Sequence, residues 1–341
     1  MPVRRILSID GGGVRGIIPA LILAYIEQRA ALPITTLFDT IAGTSTGGII
    51  ALCLTKPNPD GSPCYSAAQC AQLYEKSGQK IFPPFDLALR KFLAIRAFKP
   101  FAYCPSGLET VVADYLGDTL LSQASSDLLI YSARVFPPGI FTFKRFESFE
   151  NEDANFAMKD IARATSAAST YFPPATIKNR SNAHEFNLID GGTLVNNPAL
   201  RAYYDSKTRF PDHDVFVLSV GTGAVTHKNQ MKAQDGFTLA PLLAARKLIS
   251  FQMDGTSKQA HRDLMSILPI QLHQNGNQEH RRYYRIQCRL ESDAEDLDNS
   301  DPKNLKKLRN LAQEMIDDSR DVLDFIAMKL VALHLAQQNH E

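Results

Sequence analysis

The chain has almost no net charge: 37 lysines and arginines stand against 36 aspartates and glutamates in 341 residues. That balance gives no global sign of nucleic-acid binding, so any electrostatic steering must be local. No apolar run approaches the length of a membrane span. Arg4 and Arg5 precede the apolar run Ile6 to Ile9, but that run stops at Asp10 and is far too short for a signal-peptide core. Cysteine is scarce and unpatterned. Cys53, Cys64, Cys70, Cys104 and Cys288 are odd in number, lack CxxC spacing and have no nearby histidine cluster, which argues against a disulfide framework and a zinc site. Reduced thiols in a protein that is cytoplasmic, or peripheral at membranes, are the expectation; export without a cleaved leader would leave no mark. Internal repeats, low-complexity tracts and a break in composition are missing too. With 44% hydrophobic residues, the chain can bury a large core. We expect one domain over 1–341, with a lid-like insertion at about 56–105 and a C-terminal helical extension at about 224–341.

What is present reads as α/β. Val3 to Ile9 has the pattern of a buried strand that runs into a glycine turn, and Ile17 to Ala30 follows with helical spacing. Phe38 to Ala42, the turn Gly43 to Gly47 and the helix opening at Gly48 repeat that unit, which implies parallel strands. A proline-punctuated stretch with one helix over 67–79 comes next. Strands are predicted at 127–135, 140–146, 185–189 and 215–220, with a helix over 158–168 and another after Asn196-Asn197-Pro198. Asp301-Pro302 has the form of an N-cap with proline at the first helical position, and opens one long terminal helix.

Three glycine turns carry the chemistry. Gly43-Thr44-Ser45-Thr46-Gly47 has the G-x-S-x-G spacing that puts a serine on a sharp strand-to-helix turn, which makes Ser45 the candidate nucleophile. Its bland reading is a serine that only caps the next helix. Asp10-Gly11-Gly12-Gly13-Val14-Arg15-Gly16 presents amides of Gly11, Gly12 and Gly13 at the start of a helix, a setting for an oxyanion hole. The same residues satisfy G-x-G-x-x-G, but a dinucleotide site needs an acid at the end of the second strand, and that strand ends in the serine turn. Asp190, after a buried strand and before Gly191-Gly192, either caps its turn or serves as a base whose pKa burial raises; spacing alone leaves both readings open. None of the eight histidines stands out as a catalytic partner.

In this order, Asp10 to Gly16, Gly43 to Gly47 and Asp190 to Gly192 resemble the patatin-like phospholipases. Ala167 to Pro174 (AASTYFPP), Asn196 to Ala199 (NNPA) and Leu218 to Gly223 (LSVGTG) extend the resemblance over the first two-thirds of the chain. It implies a three-layer α/β/α sandwich with a mostly parallel central sheet. It also implies a Ser45–Asp190 dyad in place of a triad, Gly11 to Gly13 as the oxyanion hole, and hydrolysis of phospholipid or lysophospholipid acyl esters with no metal or other cofactor. A catalytically gated or weak signalling or storage protein of the same fold is the alternative.

Two further features bear on substrate. Arg15, beside the glycines, meets either a lipid phosphate or a structural partner, whether a carboxylate or exposed carbonyls. The segment 81–103 interleaves aromatic residues, Phe92 and Phe98 among them, with Arg90, Lys91, Arg96 and Lys99. That pattern suits contact with a membrane surface; the bland alternative, which most amphipathic helices follow, is a lid helix with a solvated basic face. Asp296 to Asp301 begins like a calcium loop, but Asp301 replaces its turn glycine and Lys307 its bidentate glutamate, so no calcium site is expected.

Overall fold

The computed structural model describes residues 2–84, 101–225, 241–269, 271–272, 279–290 and 294–338. Phe92, Phe98, Arg90, Lys91, Arg96 and Lys99 lie outside the described residues.

An eight-stranded sheet forms the middle layer. Strands β1 (Val3–Ile9), β2 (Thr40–Thr44), β3 (Asp127–Arg134), β4 (Gly139–Lys144), β5 (Ala175–Lys178), β6 (Glu185–Asp190) and β7 (Asp214–Val220) are joined by an edge strand, Tyr283–Ile286. The order is Tyr283–Ile286, β7, β1, β2, β3, β6, β5, with β4 paired to β3 off this path. From the edge strand to β3 every pairing is parallel; β4, β5 and β6 add antiparallel ones.

Period-two alternation in the strands divides the core between two faces. Leu7 and Ile9 of β1, Leu128 and Ile130 of β3, and Phe216, Leu218 and Val220 of β7 enter one cluster; Ile6, Leu129, Tyr131, Val215 and Val217 enter the other. Both faces are covered, which is why these strands carry apolar residues at successive positions and not only at alternate ones. The first face packs α1 (Ile17–Ala30), the short α2 (Ile34–Leu37), α3 (Thr46–Thr55), α4 (Ala67–Ile81), α5 (Ser106–Leu116) and α6 (Met158–Thr165). The second packs α7 (Ala199–Arg209) and the far end of the 27-residue α8 (Pro241–Ile267). The fold is a three-layer α/β/α sandwich with a mostly parallel sheet.

The terminal helix breaks in two at Ser319, giving α9 (Pro302–Asp318) and α10 (Arg320–Gln338), both against α1. Asp301 caps α9 by accepting the Lys303 amide at 2.8 Å, with Pro302 at the first position.

One feature of the topology positions the site. β3 pairs β4 through residues 129–134, and this overlaps its pairing with both β2 (127–131) and β6 (132–134). A strand has two edges, so β2 and β6 must share the one opposite β4. They approach it from opposite directions: β2 ends with Thr44 opposite Tyr131, and β6 ends with Asp190 opposite Ser132. Two strand ends distant in sequence therefore meet at adjacent positions of a third.

Candidate active site

Ser45 follows the last residue of β2 and precedes the first of α3, with φ 54° and ψ −125°. A non-glycine residue in such a conformation stores about 1–3 kcal/mol of strain. The turn is tight enough to demand both glycines: a Cβ on Gly43 would fall 2.4 Å from the Gly47 carbonyl oxygen, and one on Gly47 would fall 2.2 Å from that of Ile9. The Ser45 amide donates to Thr165 Oγ1 at 2.8 Å, and the Thr165 hydroxyl donates to the Tyr131 carbonyl at 2.5 Å. The end of α6 thus clamps the turn to β3.

Asp190 is buried beside it. The Ser45 hydroxyl donates to Asp190 Oδ2 at 2.6 Å, and the Gly192 amide donates to Oδ1 at 2.7 Å. Burial pushes the Asp190 pKa up to about 6, although both hydrogen bonds favour the charged form and pull it down. Its backbone amide is fixed by the Ala167 carbonyl at 3.0 Å. So Asp190 both caps its own turn and faces the serine.

The first glycine turn lies across from this pair. Gly11 donates its amide to the Asn196 carbonyl at 3.1 Å and accepts the Thr222 hydroxyl at 2.7 Å. Gly13 has φ +58°, and a Cβ there would strike the Leu297 carbonyl at 2.1 Å. The amides of Gly12 and Gly13 have no hydrogen-bond acceptor among the described residues. Arg15 is buried, and Nε and Nη1 donate to the carbonyls of Gly12 and Glu295 at 3.2 and 3.3 Å. Burial lowers its pKa. Of the two roles weighed for Arg15, these contacts fit the bridge to carbonyls.

Sequence reasoning missed the network behind the glycines. Asp10 is gripped by Arg285, Nη1 to Oδ1 at 2.7 Å and Nη2 to Oδ2 at 2.6 Å, and accepts the Ser257 hydroxyl at 2.7 Å. The only available signal was an acid placed directly before a triglycine. Met253, from α8, was missed as well, and it lines the pocket with Ser45 and Asp190.

That pocket is lined mostly by apolar side chains. Ser45, Asp190 and Gly13 form its polar end, while Ile49, Tyr74, Ile81, Phe82, Leu108 and Phe172 make apolar walls. Phe82 and Phe172 pack with ring centres 5.6 Å apart. The Ser45 hydroxyl and the Asp190 carboxyl thus border a mostly apolar space.

The model of the patatin-like phospholipase family matches residues 7–203, which takes in all three glycine turns. The chain belongs to that family. This patatin-like chain is 34% identical over 345 residues to patatin-like protein 2 of Arabidopsis thaliana, covering 91% of the chain and 82% of that protein. It is 31% identical over 346 residues to patatin-like protein 2 of Oryza sativa subsp. indica, covering 94% and 85%. Among solved structures it is similar to human GIVD cytosolic phospholipase A2 in complex with methyl gamma-linolenyl fluorophosphonate. There the identity is 12% and the TM-score 0.44, over 98% of this chain and 60% of that one.

No helix among the described residues of this patatin-like chain is long and apolar enough to cross a membrane. Nor do they hold a group of three or more His, Cys, Asp or Glu residues arranged to bind a metal ion.

Proposed function

We propose that this protein is a serine lipid acyl hydrolase of the phospholipase A or lysophospholipase type, working through Ser45 and Asp190. The observation that carries the reading is the 2.6 Å hydrogen bond between a strained, buried serine and a buried carboxylate at the polar end of an apolar pocket. Family membership supports the choice of a lipid ester as substrate.

With its pKa at about 6, Asp190 is ionised at neutral pH and basic enough to take a proton as Ser45 Oγ attacks the ester carbonyl. The carbonyl oxygen gains negative charge and turns to the amides of Gly12 and Gly13. Gly11 serves the site differently: its bonds to Asn196 and Thr222 hold the turn in place. Collapse of the tetrahedral species expels the glycerol oxygen, which takes the proton back from Asp190 and leaves an acyl-Ser45 ester. Water then gives a proton to the same carboxylate as it attacks the acyl carbon; the bond from that carbon to Ser45 Oγ breaks, Oγ takes the proton back from Asp190, and the fatty acid is released, its chain having lain along the apolar walls.

The test is hydrolysis of a 1-acyl lysophospholipid, with fluorophosphonate labelling in parallel. The parent should turn over the lipid and carry the label on Ser45. Ser45→Ala should lose the label and at least about a thousandfold of turnover while staying folded. Undiminished turnover in Ser45→Ala, or a folded parent that hydrolyses no lipid ester and takes no label, would overturn the proposal.

A further inference from the structure

Arg246 stands on α8, about two helical turns ahead of Met253. The centre of its guanidinium lies 4.4 Å from the middle of the Tyr171 ring, and Tyr171 is a wall of the pocket that holds Ser45 and Asp190. Nη1 reaches Asp298 Oδ2 at 3.4 Å, and that oxygen also accepts the Tyr103 hydroxyl at 2.7 Å. Nε and Nη2 are buried and have no hydrogen-bond partner among the described residues.

Those two nitrogens form the edge of a guanidinium whose N–H bonds run parallel and match a pair of oxygens. At Arg5 and Arg29 the same edge is filled. Arg5 holds Asp39 by Nε at 3.1 Å and Nη2 at 2.6 Å, and Arg29 holds Asp324 by the same atoms at 2.7 and 3.1 Å. Buried donors on a charged group are costly to leave unpaired, so this edge calls for an oxyanion.

We propose that Arg246 binds the headgroup phosphate of the substrate through its Nε–Nη2 edge, and so selects phospholipid esters over neutral ones. This rests on the lipid acyl hydrolase reading above. The phosphate would lie beside Tyr171 while the acyl ester meets Ser45.

Binding decides it without turnover. An ether-linked lysophosphatidylcholine and the matching monoalkylglycerol, which lacks the phosphate, are titrated calorimetrically below their micelle concentrations. The proteins are the parent, Arg246→Gln and Arg246→Lys. The parent should bind the phosphate-bearing ether at least about tenfold more tightly. Arg246→Gln should erase that preference and bind the alkylglycerol as the parent does, while Arg246→Lys, a point charge without the fork, keeps only part of it. Should the glutamine variant melt early, the lysine variant carries the comparison.

Equal weakening of both ligands would mean that Arg246 only packs on Tyr171, and an unchanged preference would remove it from recognition; either result overturns the proposal. Inorganic phosphate is the control for a free anion. If it binds the parent but not Arg246→Gln, and the two ethers bind alike, the lipid assignment is wrong. A protein that hydrolyses no ester yet shows the preference keeps Arg246 as a phosphate site and loses the hydrolase reading. Turnover with no preference does the reverse.

Discussion

Replacing Asp190 with asparagine probes the buried carboxylate through both stability and rate. Burial lifts its pKa from the ordinary 3.8 to about 6, so the folded protein holds the Asp190 proton more tightly than the unfolded chain does. The stability that the neutral acid confers is complete below about pH 3.8 and is lost as pH rises through about 6. At 1.36 kcal/mol per pH unit, the gap between those two values corresponds to about 3 kcal/mol at pH 8. Asparagine keeps the shape, accepts from the Gly192 amide and donates to Ser45 Oγ, but never ionises. Asp190→Asn should therefore be more stable than the parent by about 2–3 kcal/mol at pH 8. The advantage should shrink through pH 6 and vanish near pH 4, as read from urea unfolding of both proteins across that range. The same substitution should abolish ester hydrolysis, and in the parent kcat/KM should fall about tenfold per pH unit below about pH 6. A variant less stable than the parent at pH 8, or an advantage that ignores pH, would refute the picture of a desolvated base.

Two other substitutions test the supports of the site. Thr165→Val takes away the acceptor of the Ser45 amide and should cost about 1–3 kcal/mol in urea unfolding along with much of the turnover, whereas Thr165→Ser should retain most of both. Arg285→Met leaves the Asp10 carboxylate buried without its cation and should destabilise the fold by about 3–5 kcal/mol; adding Asp10→Asn should recover part of that loss in the same assay.

The parts of the site readable in the sequence are those set by short stretches of chain. An apolar strand running into glycines announces a turn at the end of a sheet strand, and Ser45, Gly13 and Asp190 each sit in such a turn. Which turns face one another depends on strand register. Ser45 and Asp190 are 145 residues apart, and Asp10 and Arg285 are 275 apart. No local pattern encodes those pairings. Thr165 was hidden because a threonine ending a helix has many ordinary uses. The long helix α8 was hidden for a different reason: Leu248 and Phe251 are exposed and Gly255 lies in its middle, so its apolar periodicity is weak. The break between α9 and α10 falls at Ser319, with neither glycine nor proline there to mark it. The edge strand Tyr283–Ile286 is short and waits on β7 for its pairing.

Because β3 is the gauge that sets the separation of Ser45 from Asp190, the rest of the chain between them bears on that spacing through few points, chiefly Thr165 and Ala167, which tie the two turns down. Lengthening the connection between α3 and β3 would add only loop entropy, which grows slowly with length, so inserts can be exchanged there while the reacting groups keep their spacing. Deleting a single residue within β3 is another matter. It would turn every later side chain of that strand to the opposite face and draw the serine and the carboxylate out of alignment.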